Sequence, residues 1–310
     1  MKLPDFIRIN VSLASHSTLG VGGPADYFAV INNDQTVSKQ PYGVEAKFIQ
    51  AYEFARDNKL EVFILGQGSN MLFSDKGFRG LILKINADDI WFTDADNEKE
   101  LWADAGAPIA KLVDFAKING LSGFEFLAGL PGTVGGAVYG NAGCYDGEFW
   151  DVVEEVMFFD GEYINVNKKD PSMFSYRQSI FKDNPNRIIL GAKLIQVPGN
   201  KEEIYKKTAG IFNKRLASQP KARSAGCIFK NPTLSNRLRI SAGMLIDKTN
   251  CLKGLSIGGA MISHEHGNFF INRGNARAKD FMELIAIAKG RVLKKFAIEL
   301  KEEIIRVGEF

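Results

Sequence analysis

An α+β fold in more than one domain is what this sequence predicts, and three observations predict it. The chain has 310 residues, more than a single ordinary core organises, so two or three domains are expected. Short apolar runs of strand length alternate with stretches whose apolar residues recur at helical spacing. Glycines, 31 in all, cluster in loops at strand ends, which suggests backbone that approaches a ligand closely.

Composition narrows the class. With 45% hydrophobic and 24% charged residues the chain reads as an ordinary soluble globular protein. A net charge of +3 is small for this length and no Lys/Arg stripe stands out, so nucleic acid is not expected as a partner. The three cysteines, Cys144, Cys227 and Cys251, are odd in number and widely spaced, which argues against a disulfide framework. The start carries no apolar signal region, and no segment approaches about 18 uninterrupted apolar residues. A cytoplasmic protein without membrane insertion is expected.

In chain order, Gly22-Gly23-Pro24 reads as a turn before a strand at 27–31. Residues 32–43 are polar and loop-like. Val44, Phe48, Ala51, Tyr52 and Ala55 recur at helical spacing over 44–59. A buried strand at 62–65 runs into Gly66-Gln67-Gly68-Ser69-Asn70, and another strand follows at 81–83. Beyond a strand at 101–105, Pro108 opens a helix with Ile109, Leu112, Val113 and Ala116 on one face, and Gly120 stops it. A second glycine-dense region spans 129–143. Strands at 153–159 and 188–197 flank a polar loop holding Tyr176-Arg177. Gly199-Asn200 marks a boundary before a helix at 202–216. The last third holds a small-residue turn over 223–232, a helical piece near 242–248, a long amphipathic helix over 278–296 and a closing strand at 298–307. Alternation in that strand puts Leu300, Glu302 and Ile304 on one face and Lys301, Glu303 and Ile305 on the other.

Several groups carry chemistry. The 66–70 loop offers backbone amides to an anion, or is an ordinary glycine turn; a second such loop, with Thr133 and Asn141 as polar contacts, favours a pyrophosphate cradle. Neither loop fits Gly-x-Gly-x-x-Gly between a strand and a helix, so a Rossmann domain is not indicated. Arg177 gives paired donors suited to a carboxylate, or makes a surface ion pair. The 223–232 stretch sets a thiol, Cys227, beside Lys230 and Asn231; it is either a site or a loop with a structural cysteine. Glu302 and Glu303 are candidates for a site or for solvated filler. His264-Glu265-His266 lacks further ligands, and no metal is expected.

Taken together, seven motifs resemble one family. They are His16-x-Thr18-x-Gly20-x-Gly22-Gly23-Pro24-Ala25, Leu65-Gly66-x-Gly68-Ser69-Asn70, the run 126–137 and Asn141-Ala142-Gly143. They continue as Tyr176-Arg177-x-Ser179, Ala225-Gly226-x-x-Phe229-Lys230-Asn231-Pro232 and Leu300-x-x-Glu303-Ile304. The family is UDP-N-acetylenolpyruvoylglucosamine reductase, the flavoenzyme of peptidoglycan precursor synthesis. The short segment between Arg177 and the strand at 188 resembles its shorter form, which lacks a tyrosine-bearing insertion.

The resemblance implies two α+β FAD-binding subdomains of vanillyl-alcohol-oxidase type, residues 1–85 and 86–200, and a substrate domain, 201–310. It implies non-covalent FAD held by Gly22, Gly23, Gly66, Gln67, Gly68, Ser69, Asn70, Gly129, Pro131, Gly132, Thr133, Gly135, Gly136 and Ala137. NADPH is the implied co-substrate and UDP-N-acetylglucosamine enolpyruvate the implied substrate, on a protein expected to be a monomer. Arg177, Cys227 and Glu303 are the implied catalytic groups. Cys227 stands where the family usually has a serine, the proposed proton donor. Glu303 is expected to be protonated or to act through a neighbour, because an ionised glutamate would repel a developing enolate. Tyr176, Lys214, Arg215, Lys230 and Asn231 are implied substrate contacts, with Lys214 and Arg215 unranked. The alternatives are another FAD-dependent oxidase of the same fold and a flavin-free binding protein.

Overall fold

The computed structural model describes residues 2–33, 46–95, 98–234 and 238–310. Most of the polar stretch expected over 32–43 and the first two positions of the helix expected over 44–59 lie outside the described residues. In chain order the main elements are β1 (Arg8–Ser12), β2 (Pro24–Ile31), α1 (Ala46–Asp57), β3 (Val62–Leu65), β4 (Met71–Phe73), β5 (Phe78–Ile85), β6 (Ile90–Ala95), β7 (Glu98–Asp104), α2 (Ile109–Asn119) and α3 (Val134–Gly140). Then come β8 (Val153–Phe159), β9 (Ile164–Lys168), β10 (Ile188–Leu194), α4 (Lys201–Ser218), β11 (Arg223–Cys227), α5 (Ala242–Asp247), β12 (Ala260–Ile262), β13 (Phe269–Asn272), α6 (Ala278–Phe296) and β14 (Ile305–Val307).

The chain forms two compact units. The first holds Met1–Ile7, Ala29–Gln67 and Ile82–Arg215; the second holds Arg8–Phe28, Gly68–Leu81 and Leu216–Phe310. Three of the five divisions fall within β2, β5 and α4.

In the first unit an antiparallel sheet has the order β9-β8-β10-β7-β6, with Gly191 opposite Asp104 and Phe158 opposite Ile189. α2 buries the expected face, Ile109, Leu112, Val113 and Ala116. Gly120 ends it at φ 68, its N–H donating to the carbonyls of Ala116 and Lys117, a left-handed cap that glycine adopts without a Cβ penalty. α1 sets Phe48 edge-on to Phe159 with ring centroids 5.5 Å apart. The strand expected over 188–197 ends at Leu194. Ile195 instead donates to the Val152 carbonyl, and Val197–Pro198 pairs with Leu121–Ser122, a short edge position that tolerates proline's missing N–H.

In the second unit β11, β13, β12 and the pair Ser256–Ile257 form a sheet in that order. α6 covers a core that includes Phe229, Leu245, Ile246 and Phe270. It buries Phe281, Leu284, Ile285, Ala288 and Val292, the i, i+3, i+4, i+7 stripe its periodicity predicts. The Asp75 carboxylate accepts from Ala278 N–H at 2.8 Å and Lys279 N–H at 3.1 Å, an anion at the positive end of a helix dipole.

Two expectations are corrected in this unit. The 223–232 stretch does not start as a turn: Arg223–Cys227 is a strand on β13, with a register shift between Ser224 and Cys227. Gly226 takes φ 71 there, the left-handed residue typical of a β-bulge. The closing strand is only Ile305–Val307, parallel to β4. Residues 298–304 are irregular apart from one bridge, Phe229 to Glu302. Their apolar residues Leu300 and Ile304 are buried, which imitates strand alternation. Glu302, however, is gripped by Lys289 at 3.3 Å and Arg306 at 2.5 Å. Among the described residues no helix is long and apolar enough to cross a membrane.

Candidate active site

The first unit brings two glycine loops together. A Cβ on Gly66 would lie 2.6 Å from Thr133 Oγ1, and Gln67 Oε1 accepts from Gly132 N–H at 3.0 Å. Thr133 caps α3, accepting from Gly136 N–H at 3.3 Å, as N-cap threonines do. Several amides expected to face a ligand have protein acceptors: Val134 N–H donates to Ala107, Gly135 N–H to Ala105 and Ala137 N–H to Thr133 carbonyl. The 133–137 segment is thus tied down by backbone bonds, two of them to residues 105 and 107. Gly135 has a packing reason, since its Cβ would meet Ala105 Cβ at 2.8 Å. Gly136 has none: it is exposed, and a Cβ there would meet only Thr133 Oγ1 at 3.5 Å. Pro131 is exposed on the same loop. A glycine kept where the protein leaves room fits close approach by a bound group.

Tyr176 and Arg177 form the tip of a tight hairpin between Phe174–Ser175 and Gln178–Ser179. Arg177 Nη1 donates to the Asn141 carbonyl at 3.2 Å and Nη2 to the Gly143 carbonyl at 2.5 Å. Its guanidinium lies 5.1 Å from the Tyr176 ring centre. Asn141, at the C-cap of α3, is wholly buried. Its side chain donates to Glu148 Oε2 at 2.7 Å and to the Ser175 carbonyl at 3.0 Å. One buried asparagine therefore ties α3, the 143–148 hairpin and the Arg177 hairpin. The motif Asn141-Ala142-Gly143 marked this position, but not its role as the seat of Arg177.

Lys214 and Arg215 now separate. Lys214 is exposed, whereas Arg215 is buried. Arg215 Nε donates to the Ala128 carbonyl at 3.1 Å and Nη2 to Cys144 Sγ at 3.0 Å. It also packs on Gly129, whose Cβ would sit 3.1 Å from Arg215 Cδ. Cys144 in turn donates to the Phe126 carbonyl at 3.0 Å. Burial pushes the Cys144 thiol up, while Arg215 pulls the other way.

In the second unit Gly22 and Gly23 pack on their own chain. A Cβ on Gly22 would strike Phe73 Cβ at 2.6 Å, and one on Gly23 would strike the Asp75 carbonyl oxygen at 2.3 Å. Gly68, at φ 66, would bring a Cβ to 2.2 Å from the His16 carbonyl oxygen. Beside it lies half-buried Ser69. Asn70 Nδ2 donates to the Glu303 carbonyl at 3.1 Å, and the Asn70 carbonyl accepts from Ile305 N–H at 3.0 Å. The segments that carry Cys227 and Glu303 pair across a short ladder. Glu303 N–H donates to the Ile228 carbonyl at 2.8 Å, and Lys230 N–H to the Lys301 carbonyl at 2.9 Å. Cys227 is half-buried and forms no disulfide among the described residues. Asn231 Oδ1 accepts from Ala242 N–H at 3.0 Å. His266 Nδ1 accepts from Asn268 N–H at 3.1 Å. Among the described residues no group of three or more His, Cys, Asp or Glu could hold a metal ion.

These parts have counterparts in known proteins. Residues 43–166 match the model of an FAD binding domain. With the glycine loops of the first unit, that defines the class: an FAD-dependent oxidoreductase. Residues 219–307 match the C-terminal domain of UDP-N-acetylenolpyruvoylglucosamine reductase. The reductase of that name from Solibacter usitatus is 34% identical, with 97% of each chain covered. The one from Fervidobacterium nodosum is 39% identical over 96% of this chain and 90% of its own. The crystal structure of the Thermus caldophilus enzyme, 36% identical, superposes with a TM-score of 0.76 over 98% of this chain and 100% of that one. The chain belongs to the UDP-N-acetylenolpyruvoylglucosamine reductase family. The expected fold class stands: α+β, with a flavin-binding part of the vanillyl-alcohol-oxidase type and a C-terminal α+β substrate domain.

Proposed function

We propose that this protein reduces UDP-N-acetylglucosamine enolpyruvate to UDP-N-acetylmuramate, for peptidoglycan precursor synthesis, with NADPH as the electron source. The loops around Gly66, Gly132 and Gly136 fit FAD, and Gly129, Pro131, Thr133, Gly135 and Ala137 hold them in shape. FAD when bound supplies the hydride, taken from NADPH, for the enolpyruvyl double bond.

The chain's own residues supply binding and the proton. Arg177, seated on two carbonyls, holds the substrate carboxylate as negative charge builds toward it, an interaction that strengthens in the transition state. Cys227 gives its proton to the carbon next to the carboxylate and is reprotonated from solvent. A thiol is a stronger acid than a serine hydroxyl and is well able to donate a proton. Glu303, carried on the same ladder, assists as a neutral acid or through a neighbour. Tyr176, Lys214 and Arg215 in the first unit, and Lys230 and Asn231 in the second, are the substrate contacts of this reading, for the nucleotide diphosphate or the carboxylate. Residues 1–85, 86–200 and 201–310 serve as two flavin subdomains and a substrate domain, in a cytoplasmic monomer.

The observation that supports this reading most is the ladder that pairs the backbone of 301–303 with that of 228–230, the residues next to Cys227. The test is anaerobic reduction with NADPH, followed by UDP-N-acetylglucosamine enolpyruvate. In Cys227→Ala, flavin reduction by NADPH is expected to be unchanged. Reoxidation by substrate should slow at least about a hundredfold, the scale of a lost general acid, and Cys227→Ser should restore it. Near-normal reoxidation in Cys227→Ala would remove Cys227 from the mechanism. Reoxidation by oxygen alone would point to an oxidase.

A further inference from the structure

We infer that Asn268 is a positioning residue for Cys227: its side chain clamps the Phe229 peptide at both ends and so fixes the segment that carries the thiol. The inference rests on the reading of Cys227 as proton donor, although the clamp itself is a matter of geometry.

Asn268 is 2% exposed. Its Oδ1 accepts from Phe229 N–H at 2.9 Å, and its Nδ2 donates to the Phe229 carbonyl at 2.8 Å. Its own carbonyl accepts from Ile228 N–H at 2.9 Å. A carboxamide presents an acceptor and a donor side by side, the complement of one residue's N–H and C=O. An aliphatic side chain of similar size does neither, and a hydroxyl carries its donor and acceptor on one atom rather than side by side.

The need for such a clamp follows from what surrounds it. On one side the β11 bulge interrupts pairing between Ser224 and Cys227. On the other, the ladder to 301–303 uses the Ile228 carbonyl and the Lys230 N–H, leaving the two Phe229 groups to be met from elsewhere. Phe229 is buried, so without Asn268 both its backbone groups would lose their partners inside the core, each at a substantial desolvation cost. A bulge lets a strand re-aim a side chain; Cys227 then pairs with Phe269, the residue after Asn268, and the clamp fixes the residues that follow the thiol. Asn268 is itself held, since its N–H donates to His266 Nδ1 at 3.1 Å. That bond needs a neutral imidazole, and burial pushes the His266 pKa down.

The test compares Asn268→Ala with Asn268→Asp in the FAD-loaded enzyme. Aspartate keeps the acceptor for Phe229 N–H in either protonation state, so it serves as the conservative variant and guards against a misfolded alanine protein. Two readouts are taken: the separate rates of flavin reduction by NADPH and reoxidation by the enolpyruvyl substrate, and the rate at which iodoacetamide alkylates Cys227, followed on the peptide that contains it. Asn268→Ala is expected to leave reduction within about twofold of wild type and to slow reoxidation roughly tenfold to a hundredfold, the scale of a displaced reacting group. Cys227 alkylation should change at least about threefold, with Asn268→Asp between alanine and wild type in both readouts. Reoxidation within about twofold of wild type in Asn268→Ala, or equal slowing of both half-reactions, would overturn the inference. Should Cys227→Ala show that the thiol is not the donor, the alkylation rates still report whether Asn268 places it, so the two failures are told apart.

Discussion

Arg177 sits in a conformation that side chains disfavour. Its φ is 57, in the left-handed region that costs a non-glycine residue about 1–2 kcal/mol. Such strain persists only where surrounding contacts over-determine it, and it concentrates at functional sites. The contacts here are the Asn141 and Gly143 carbonyls under the guanidinium. Lysine would keep the charge but place one point charge where two N–H groups now sit on two carbonyls. Arg177→Lys is therefore expected to raise KM for the enolpyruvyl substrate and lower kcat, together costing about tenfold or more in kcat/KM, with flavin content unchanged. Steady-state kinetics beside the visible spectrum checks this. Wild-type KM in the lysine variant would mean that Arg177 does not hold the carboxylate.

Among elements, the first turn of α3 gives the sharpest contrast. Glycine inside a helix is less stable than alanine by roughly 0.5–1 kcal/mol, and a Cβ on Gly136 would make only an ordinary contact, with Thr133 Oγ1 at 3.5 Å. Gly136→Ala should make the FAD-free chain slightly more stable, by a degree or two in Tm. It should also weaken FAD binding at least about tenfold if the cofactor packs there. Thermal melts of the apoprotein and a fluorescence titration with FAD separate the two effects; unweakened FAD binding would mean that the glycine is not kept for the cofactor. The same element shows what could be read from sequence. α2 and α6 were legible because their partners lie three or four residues away, and Gly120 announces its own cap. The two glycine loops and the Arg177 hairpin were legible as local composition. The 298–304 segment was misread because Leu300 and Ile304 are buried two turns of alternation apart without forming a strand. The roles of Asn141, Asn268 and Arg215 could not be read at all, for their partners are distant in sequence: Asn268 meets Phe229 and Arg215 meets Cys144. A buried polar residue declares its function only through what it touches.

At the scale of the whole molecule, stability must vary with pH wherever folding changes proton affinity. Asp104, at the end of β7, is the clearest case in the first unit. Burial pushes its carboxyl from 3.8 up to about 6; the Asp89 N–H it accepts pulls down, and the charges of Asp89 and Asp88 push up. A carboxyl raised on folding binds its proton more tightly in the folded chain than in the unfolded one. Its unfavourable contribution is therefore absent below pH 3.8, grows as pH rises toward about 6, and is constant above that. A shift of about two units corresponds to roughly 3 kcal/mol at most. Asparagine removes the charge and keeps an acceptor for Asp89 N–H, which lies 2.9 Å from Asp104 Oδ2. Asp104→Asn is thus expected to raise Tm by a few degrees at about pH 8 and by roughly half as much at about pH 5. Glu100 works in the opposite sense, because its bonds to Lys193 and Trp102 hold its pKa down, and the stability it lends is lost as pH falls. Comparing variant with wild type at each pH cancels that opposing contribution. A gain in Tm that is the same at both pH values would show that Asp104 is not carrying a buried charge, and that the asparagine acts through packing alone.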